Sequence, residues 1–150
     1  MWGAGPGHTL PLAALAGCTL VLVIAAGLTG CAPEPRGFEA FYGGDASAVT
    51  QIVMLDGSTG EMRRIAARRD IDRFFDFLAG LTFVRRENQA PRAGYLYWVD
   101  LYEAGGKALR VTFAATGARI DGVYYSLNRD VSQDLHDAYE QASPWGQPME

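Results

Sequence analysis

The sequence predicts an α+β domain: a twisted antiparallel sheet in the order β-β-α-β-β-β-β-β-α, with two helices packed on one face. Three observations carry this reading. Short apolar segments with strand-type alternation recur between residues 49 and 127. Gly-rich clusters separate most of them by only a few residues, and tight turns demand antiparallel neighbours. Two segments instead repeat their apolar residues at helical spacing, and such helices bury their stripe against a sheet.

Residues 50–55 are apolar and rich in strand formers, residues 56–60 (Asp-Gly-Ser-Thr-Gly) form a turn cluster, and residues 61–67 return as a second strand. The Gly-Ser-Thr-Gly turn lacks the Gly-Lys-Ser/Thr ending and following helix of a phosphate loop, so it reads as a hairpin turn. Residues 70–79 form the clearest helix. Asp70 is placed to cap it, Asp72 favours its positive end, and Ile71, Phe74, Phe75 and Leu78 fall on one face. Gly80 suits the left-handed position that ends a helix. A strand over 81–86 and a Pro91-containing loop over 87–94 follow.

Residues 95–103 and 107–114 make the strongest hairpin. A three-residue Ala104-Gly105-Gly106 loop sets Glu103 opposite Lys107, and sets Leu101, Val99 and Tyr97 opposite Leu109, Val111 and Phe113 on the core face. The other face then pairs Asp100 with Arg110, Trp98 with Thr112 and Tyr102 with Ala108. Asp121-Gly122 is a type I′ turn signal between Arg119-Ile120 and residues 123–125. The last helix spans 130–142, burying Val131, Leu135, Ala138, Tyr139 and Ala142, and Ser143-Pro144 ends it.

Upstream of the domain, residues 12–28 carry no charge and are rich in Leu, Val, Ile and Ala. As a helix this run would be about 25 Å long, short of a full bilayer crossing. It ends in Leu28-Thr29-Gly30-Cys31, which resembles the lipobox of bacterial lipoproteins: an aliphatic residue, a small one, Gly or Ala, then Cys. The resemblance implies thioether attachment of diacylglycerol to Cys31 and cleavage after Gly30. Two acyl chains anchor stably where one is marginal, since each buried methylene adds about 0.8 kcal/mol. The chain departs from the pattern in one respect, because residues 1–11 contain no Lys or Arg. The expected organisation is a signal peptide over 1–30, lipidated Cys31 and a flexible tether over 31–48, one α+β domain over 49–142, and a tail over 143–150. Phe38, Phe41 and Tyr42 are unusual for a pure linker and leave open that part of the tether docks onto the domain.

All 17 acidic and all 13 basic side chains lie beyond Cys31, so the segment from Cys31 onward carries the formal charge of −4. Weak net acidity argues against nucleic acid as a partner. Cys31 is the only cysteine of that segment, so no disulfide staples the domain. Charge is uneven: residues 61–92 hold eight Arg against five acids, and residues 93–150 hold four basic residues against eight acids. The basic stretch either touches anionic headgroups beside the anchor or forms a solvated face with local ion pairs.

Little of the sequence points to catalysis. His136 and Glu140 form a His-x-x-x-Glu pair, half of a metal site with no second half in view. A Ser-His-Asp triad would need His136 as its base, and no Gly-x-Ser-x-Gly elbow supports one. Asp100 and Glu103 could do carboxylate chemistry, but the hairpin register gives Asp100 an Arg110 partner. The aromatics are more informative. Trp98 and Tyr102 alternate on the outer face of the central hairpin, with Tyr124 or Tyr125 on a nearby hairpin. They form either a rigid platform for a peptide, glycan or partner protein, or a face covered by the helices or by Phe38, Phe41 and Tyr42 of the tether.

The stretch Tyr97-x-Val99 through Gly106 to Val111, then Gly117, is similar to the repeat of PepSY domains, small extracytoplasmic modules associated with protease inhibition and envelope regulation. An extra strand and loop separate it here from the preceding helix. The similarity implies an inhibitory or regulatory role in the envelope. Together these readings predict a lipoprotein on the extracytoplasmic face of the cell membrane. It is expected to be a monomer without cofactor or metal, and a non-catalytic binding module whose candidate partner residues are Trp98, Tyr102, Tyr124 and Tyr125. The alternative is a hydrolase using surface carboxylates or the Arg63, Arg64, Arg68 and Arg69 cluster.

Overall fold

The computed structural model describes residues 32–146. The hydrophobic run, the Leu28-Thr29-Gly30-Cys31 motif and the last four residues of the predicted tail lie outside the described residues. Within them the chain folds as an α+β domain with an eight-stranded, wholly antiparallel sheet. The strands are β1 (Val49–Asp56), β2 (Met62–Ile65), β3 (Phe83–Arg85), β4 (Tyr97–Glu103), β5 (Gly106–Ala114), β6 (Gly117–Ile120), β7 (Val123–Leu127) and β8 (Ser143–Pro144). The helices are α1 (Arg68–Ala79) and α2 (Ser132–Gln141).

The strand order β3-β7-β6-β5-β4-β1-β2-β8 explains where the helices go. β4 to β7 run as a meander of tight hairpins, as their turn residues dictate. β2 and β3 lie on opposite flanks, so α1 must cross one whole face of the sheet to join them. α2 crosses back from β7 to β8. Both helices cover the same face: Ile71, Phe74 and Leu78 of α1 and Leu135 and Tyr139 of α2 share one core with Ile52, Met54, Val99, Leu101, Val111 and Phe113. Side chains alternate along a strand, so Trp98, Asp100, Arg110, Thr112, Arg119 and Tyr124 point to the face without helices.

Local chemistry accounts for several details. The β6–β7 turn has φ of 49° at Asp121 and 81° at Gly122, the pair of positive values a type I′ turn requires. At the β1–β2 turn, the Asp56 carboxylate accepts from the Ser58 amide and hydroxyl, both at 2.6 Å, and from the Thr59 amide. Those bonds favour the ionised form, with the Ser58 hydroxyl contributing most, and hold the Asp56 carboxyl below its ordinary range.

The structure revises five expectations. Asp70 does not cap α1: the helix begins at Arg68 with Ala67 as its cap, and Asp70 pairs from the first turn with Arg73 at 3.4 Å. Gly80 is not left-handed; at φ −78° its amide closes onto the Asp76 and Phe77 carbonyls. The β4–β5 pairing matches Tyr97 to Leu101 against Phe113 to Leu109, but a bulge then sets Tyr102 opposite Lys107 and Glu103 opposite Gly106. The loop is therefore Ala104-Gly105, and Ala108 is the extra residue of the bulge. Ser143 and Pro144 are not loose: they pair with Arg64 and Arg63 as a short edge strand.

The largest revision concerns residues 36–48, which are part of the fold. Arg36 exchanges two backbone hydrogen bonds with Phe83, at 2.9 and 2.8 Å, and so covers the β3 edge. Phe38 is 4% exposed and packs against Tyr42, Phe75 and Phe83, while Phe41 meets Phe83 and Tyr125 edge to face at 5.0 Å. The three aromatics complete the helical side of the core, where burying them outweighs the entropy of leaving the segment free.

Candidate ligand-binding face

Neither covering proposed from the sequence falls on Trp98. The helices and the Phe38, Phe41 and Tyr42 cluster all occupy the opposite face, and Trp98, Tyr102 and Tyr124 stay half-buried. Tyr125 belongs elsewhere: it is 8% exposed and packs into the core against Phe41 and Phe83. Alternation along β7 puts Tyr124 outward and Tyr125 inward, so Tyr125 drops out of any binding surface.

Strand register assembles the outward residues into a row. Trp98 of β4 is opposite Thr112 of β5, Thr112 is opposite Arg119 of β6, and Arg119 is opposite Tyr124 of β7. Trp98 and Tyr124 are thus three strands apart, about 14 Å at normal strand spacing. Between them stand Thr112 and Arg119, with the small Ala114 beside Thr112 on the same face and the Arg86 guanidinium close over Gly117. The result is a groove of about 800 Å³.

Its two walls are built alike. On the β4 side the Trp98 ring stacks on Tyr95 (5.2 Å, 23°) and the Arg110 guanidinium lies 4.6 Å from the Trp98 ring centre. Arg110 is held there by Asp100, which accepts two hydrogen bonds of 2.6 Å from it and is itself 7% exposed. The Asp100 hydrogen bond is also the main reason the guanidinium pKa is raised. On the β7 side Arg119 lies 5.6 Å over the Tyr124 ring, and the Tyr124 hydroxyl accepts from the Arg92 amide at 3.2 Å.

The long β3–β4 connection closes one end. Gln89 anchors it by accepting from the Tyr124 amide and donating to the Tyr124 carbonyl. Arg86 donates to the carbonyls of Tyr125 and Thr116. These contacts bring Arg86, Arg92 and Tyr95 to the groove. Sequence reasoning missed Arg92, Arg119 and Tyr95. Arg119 was legible as the cross-strand partner of Tyr124 in the 119–125 hairpin, whereas alternation along a 95–103 strand would set Tyr95 on the core face, away from Trp98. The two rings meet because β4 begins only at Tyr97.

Tyr102 shares the outer face but not the groove. It lies four residues along β4 from Trp98, beyond the Asp100–Arg110 pair, opposite Gln51 and Lys107. The candidate carboxylates are engaged: Glu103 accepts from the Tyr42 hydroxyl at 2.7 Å, and Asp100 is bound by Arg110. Burial, reinforced by Glu103, pushes the Tyr42 hydroxyl up to about 12. The His136 Nδ1 lies 3.3 Å from the Tyr97 hydroxyl, while Glu140 pairs with Arg63 at 3.4 Å. No group of three or more His, Cys, Asp or Glu suited to a metal ion occurs among the described residues.

The arginine cluster is dispersed over the α1 and β2 surface. Arg63 stacks on Tyr139 and donates to the carbonyls of Tyr139 and Glu140, Arg68 binds Asp72 and the Val49 carbonyl, and Arg69 meets only Asp70, at 3.7 Å. Arg64 lines a second groove, of about 670 Å³, between α1 and α2, where Arg73 bonds both Asp70 and Gln141. No helix among the described residues is long and apolar enough to cross a membrane. Comparison with protein-family models, with curated proteins and with solved structures finds no match to this chain.

Proposed function

We propose that this protein is a membrane-anchored, extracytoplasmic binding module, held to the bilayer through acylated Cys31 and using the helix-free face of its sheet to capture a component of the cell envelope. The observation that carries the binding role is the groove between Trp98 and Tyr124. Aromatic walls on rigid, fully paired central strands, with small residues and arginines between them, form a preorganised site that loses little entropy on binding. Asp100 and Glu103 give less support to a hydrolase, since each is committed to a structural partner.

The full chain, solubilised in non-ionic detergent, should be retained by isolated cell-envelope fractions. Trp98→Ala and Tyr124→Ala should abolish retention while leaving the far-ultraviolet circular dichroism unchanged. Equal retention of both variants would refute the binding face. A hydrolytic activity lost in Asp100→Ala without unfolding would favour the enzyme instead.

A further inference from the structure

We infer that the groove takes an acidic glycan, its carboxylates bound by Arg92 and Arg119 and its sugar rings seated between Trp98 and Tyr124. This rests on the outer sheet face being the binding surface.

The first argument is charge. The chain is net acidic at −4, yet the groove lining holds four arginines, Arg86, Arg92, Arg110 and Arg119, and no Asp or Glu. A merely solvated face mixes both signs. Arg110 is neutralised by Asp100 and Arg86 is spent on backbone carbonyls. Arg92 and Arg119 have no carboxylate partner among the described residues; the Arg119 guanidinium meets only the Tyr124 ring. Two planar, unneutralised guanidiniums on one groove are suited to carboxylates, which they bind through paired hydrogen bonds.

The second argument is shape. Trp98 and Tyr124 stand about 14 Å apart across the sheet, which leaves width for a sugar ring over Thr112 and Ala114, between Trp98 and the Arg119 side chain packed on Tyr124. The Trp98 ring, covered by Tyr95 and Arg110, and the Tyr124 ring, covered by Arg119, border such a ring with their edges and guanidinium planes, and the Thr112 hydroxyl is available to a sugar hydroxyl. An acidic peptide fits less well. A peptide adding itself as a strand needs an open edge, and this site lies over β4–β7, whose strands are paired on both sides, so a peptide here would be held by side-chain contacts without main-chain pairing. A flat anionic bilayer would meet a protruding basic surface, not a concave one.

Binding is measured calorimetrically on the full chain in non-ionic detergent, with three probes: a short oligogalacturonate, the same oligomer fully methyl-esterified, and an oligoglutamate of matched charge. The expected result is saturable binding of the oligogalacturonate that weakens with salt. Arg119→Gln and Arg92→Gln should each weaken it by about tenfold or more, the scale of a lost charge-assisted contact. Arg69→Gln, on the exposed surface of α1, should leave it unchanged. Equal binding of the esterified oligomer would overturn the anion requirement. Equal or tighter binding of oligoglutamate would overturn the glycan in favour of an acidic peptide. Binding of none of the three overturns the inference, while retention on envelope fractions that depends on Trp98 and Tyr124 would still uphold the binding face. Loss of both removes the two together.

Discussion

Replacing Phe38 with alanine tests whether the segment ahead of β1 belongs to the domain or tethers it. Phe38 is 4% exposed and contacts three rings, Tyr42 at 6.3 Å, Phe75 at 6.1 Å and Phe83 at 6.3 Å between centroids. Phe83 is fully buried, so the truncation opens a cavity at the β3 end of the core that the backbone can only partly refill. Buried Phe→Ala changes cost about 3–5 kcal/mol. That is a large share of the roughly 5–15 kcal/mol that stabilises a typical domain. With a urea slope of about 2 kcal/mol per M, the unfolding midpoint should fall by about 2 M with the slope unchanged. Far-ultraviolet circular dichroism is the appropriate probe, because Trp98 lies on the helix-free face and Trp145 is exposed, so neither reports on the β3 end of the core. Glu39→Ala, an exposed neighbour in the same turn, should shift the midpoint by no more than about 0.3 M, as surface changes do. An equally small shift in Phe38→Ala would refute the docking of residues 36–48.

Other measurements probe single features. Asp100→Ala should cost about 1–3 kcal/mol in urea unfolding, because it leaves Arg110 without its two charge-assisted hydrogen bonds; a cost under 0.5 kcal/mol would count against that pair. Tyr42 keeps its proton up to about 12 when folded but only to 10.0 when unfolded, so its contribution is complete below pH 10.0 and lost as pH rises toward 12. Tyr42→Phe should therefore flatten the stability profile over that window, with the residual slope coming from Tyr97 and Tyr139, which burial raises in the same direction. Gly122→Ala should destabilise by about 1 kcal/mol or more, since φ of 81° is strained for any residue with a Cβ, and an unchanged melting temperature would argue against the type I′ turn. Cys31→Ser should abolish incorporation of labelled fatty acid and move the protein to the aqueous phase of a detergent partition; persistent labelling would remove the lipid anchor from the proposal.

The parts of the fold legible in the sequence are those set by neighbours in the chain. Turn chemistry at Asp121-Gly122 and period-2 alternation across residues 97–113 gave the meander and its pairing, because both depend on a few adjacent residues. The helix starts differ by only two residues: α1 begins at Arg68 with Ala67 and not Asp70 as its cap, and α2 begins at Ser132, whose amide donates to the Asp130 carboxylate. The end of the β4–β5 hairpin was harder: a three-residue loop and a two-residue loop followed by a bulge consume the same Gly-rich stretch, and the choice depends on how β4 also pairs with β1.

What the sequence determined by itself is therefore every element but the short β8 edge strand, the central register, and the outward placing of Trp98, Asp100 and Arg110, which follows from alternation along a strand. The choice of Tyr124 over Tyr125 as the outward ring came with the structure. Only the tertiary structure decided which residues gather around them. Phe38, Phe41 and Tyr42 could have closed over Trp98, yet the opposite face offered Phe75, Phe83 and Tyr125 and a fuller burial. Once that side was complete, the outer face was left to a loop from the far edge, which set Tyr95 on Trp98 and Arg92 beside Tyr124. The Arg92–Tyr124 contact joins residues distant in the chain, and the nearer Tyr95–Trp98 contact depends on where the chain enters β4, so neither is encoded by a local pattern.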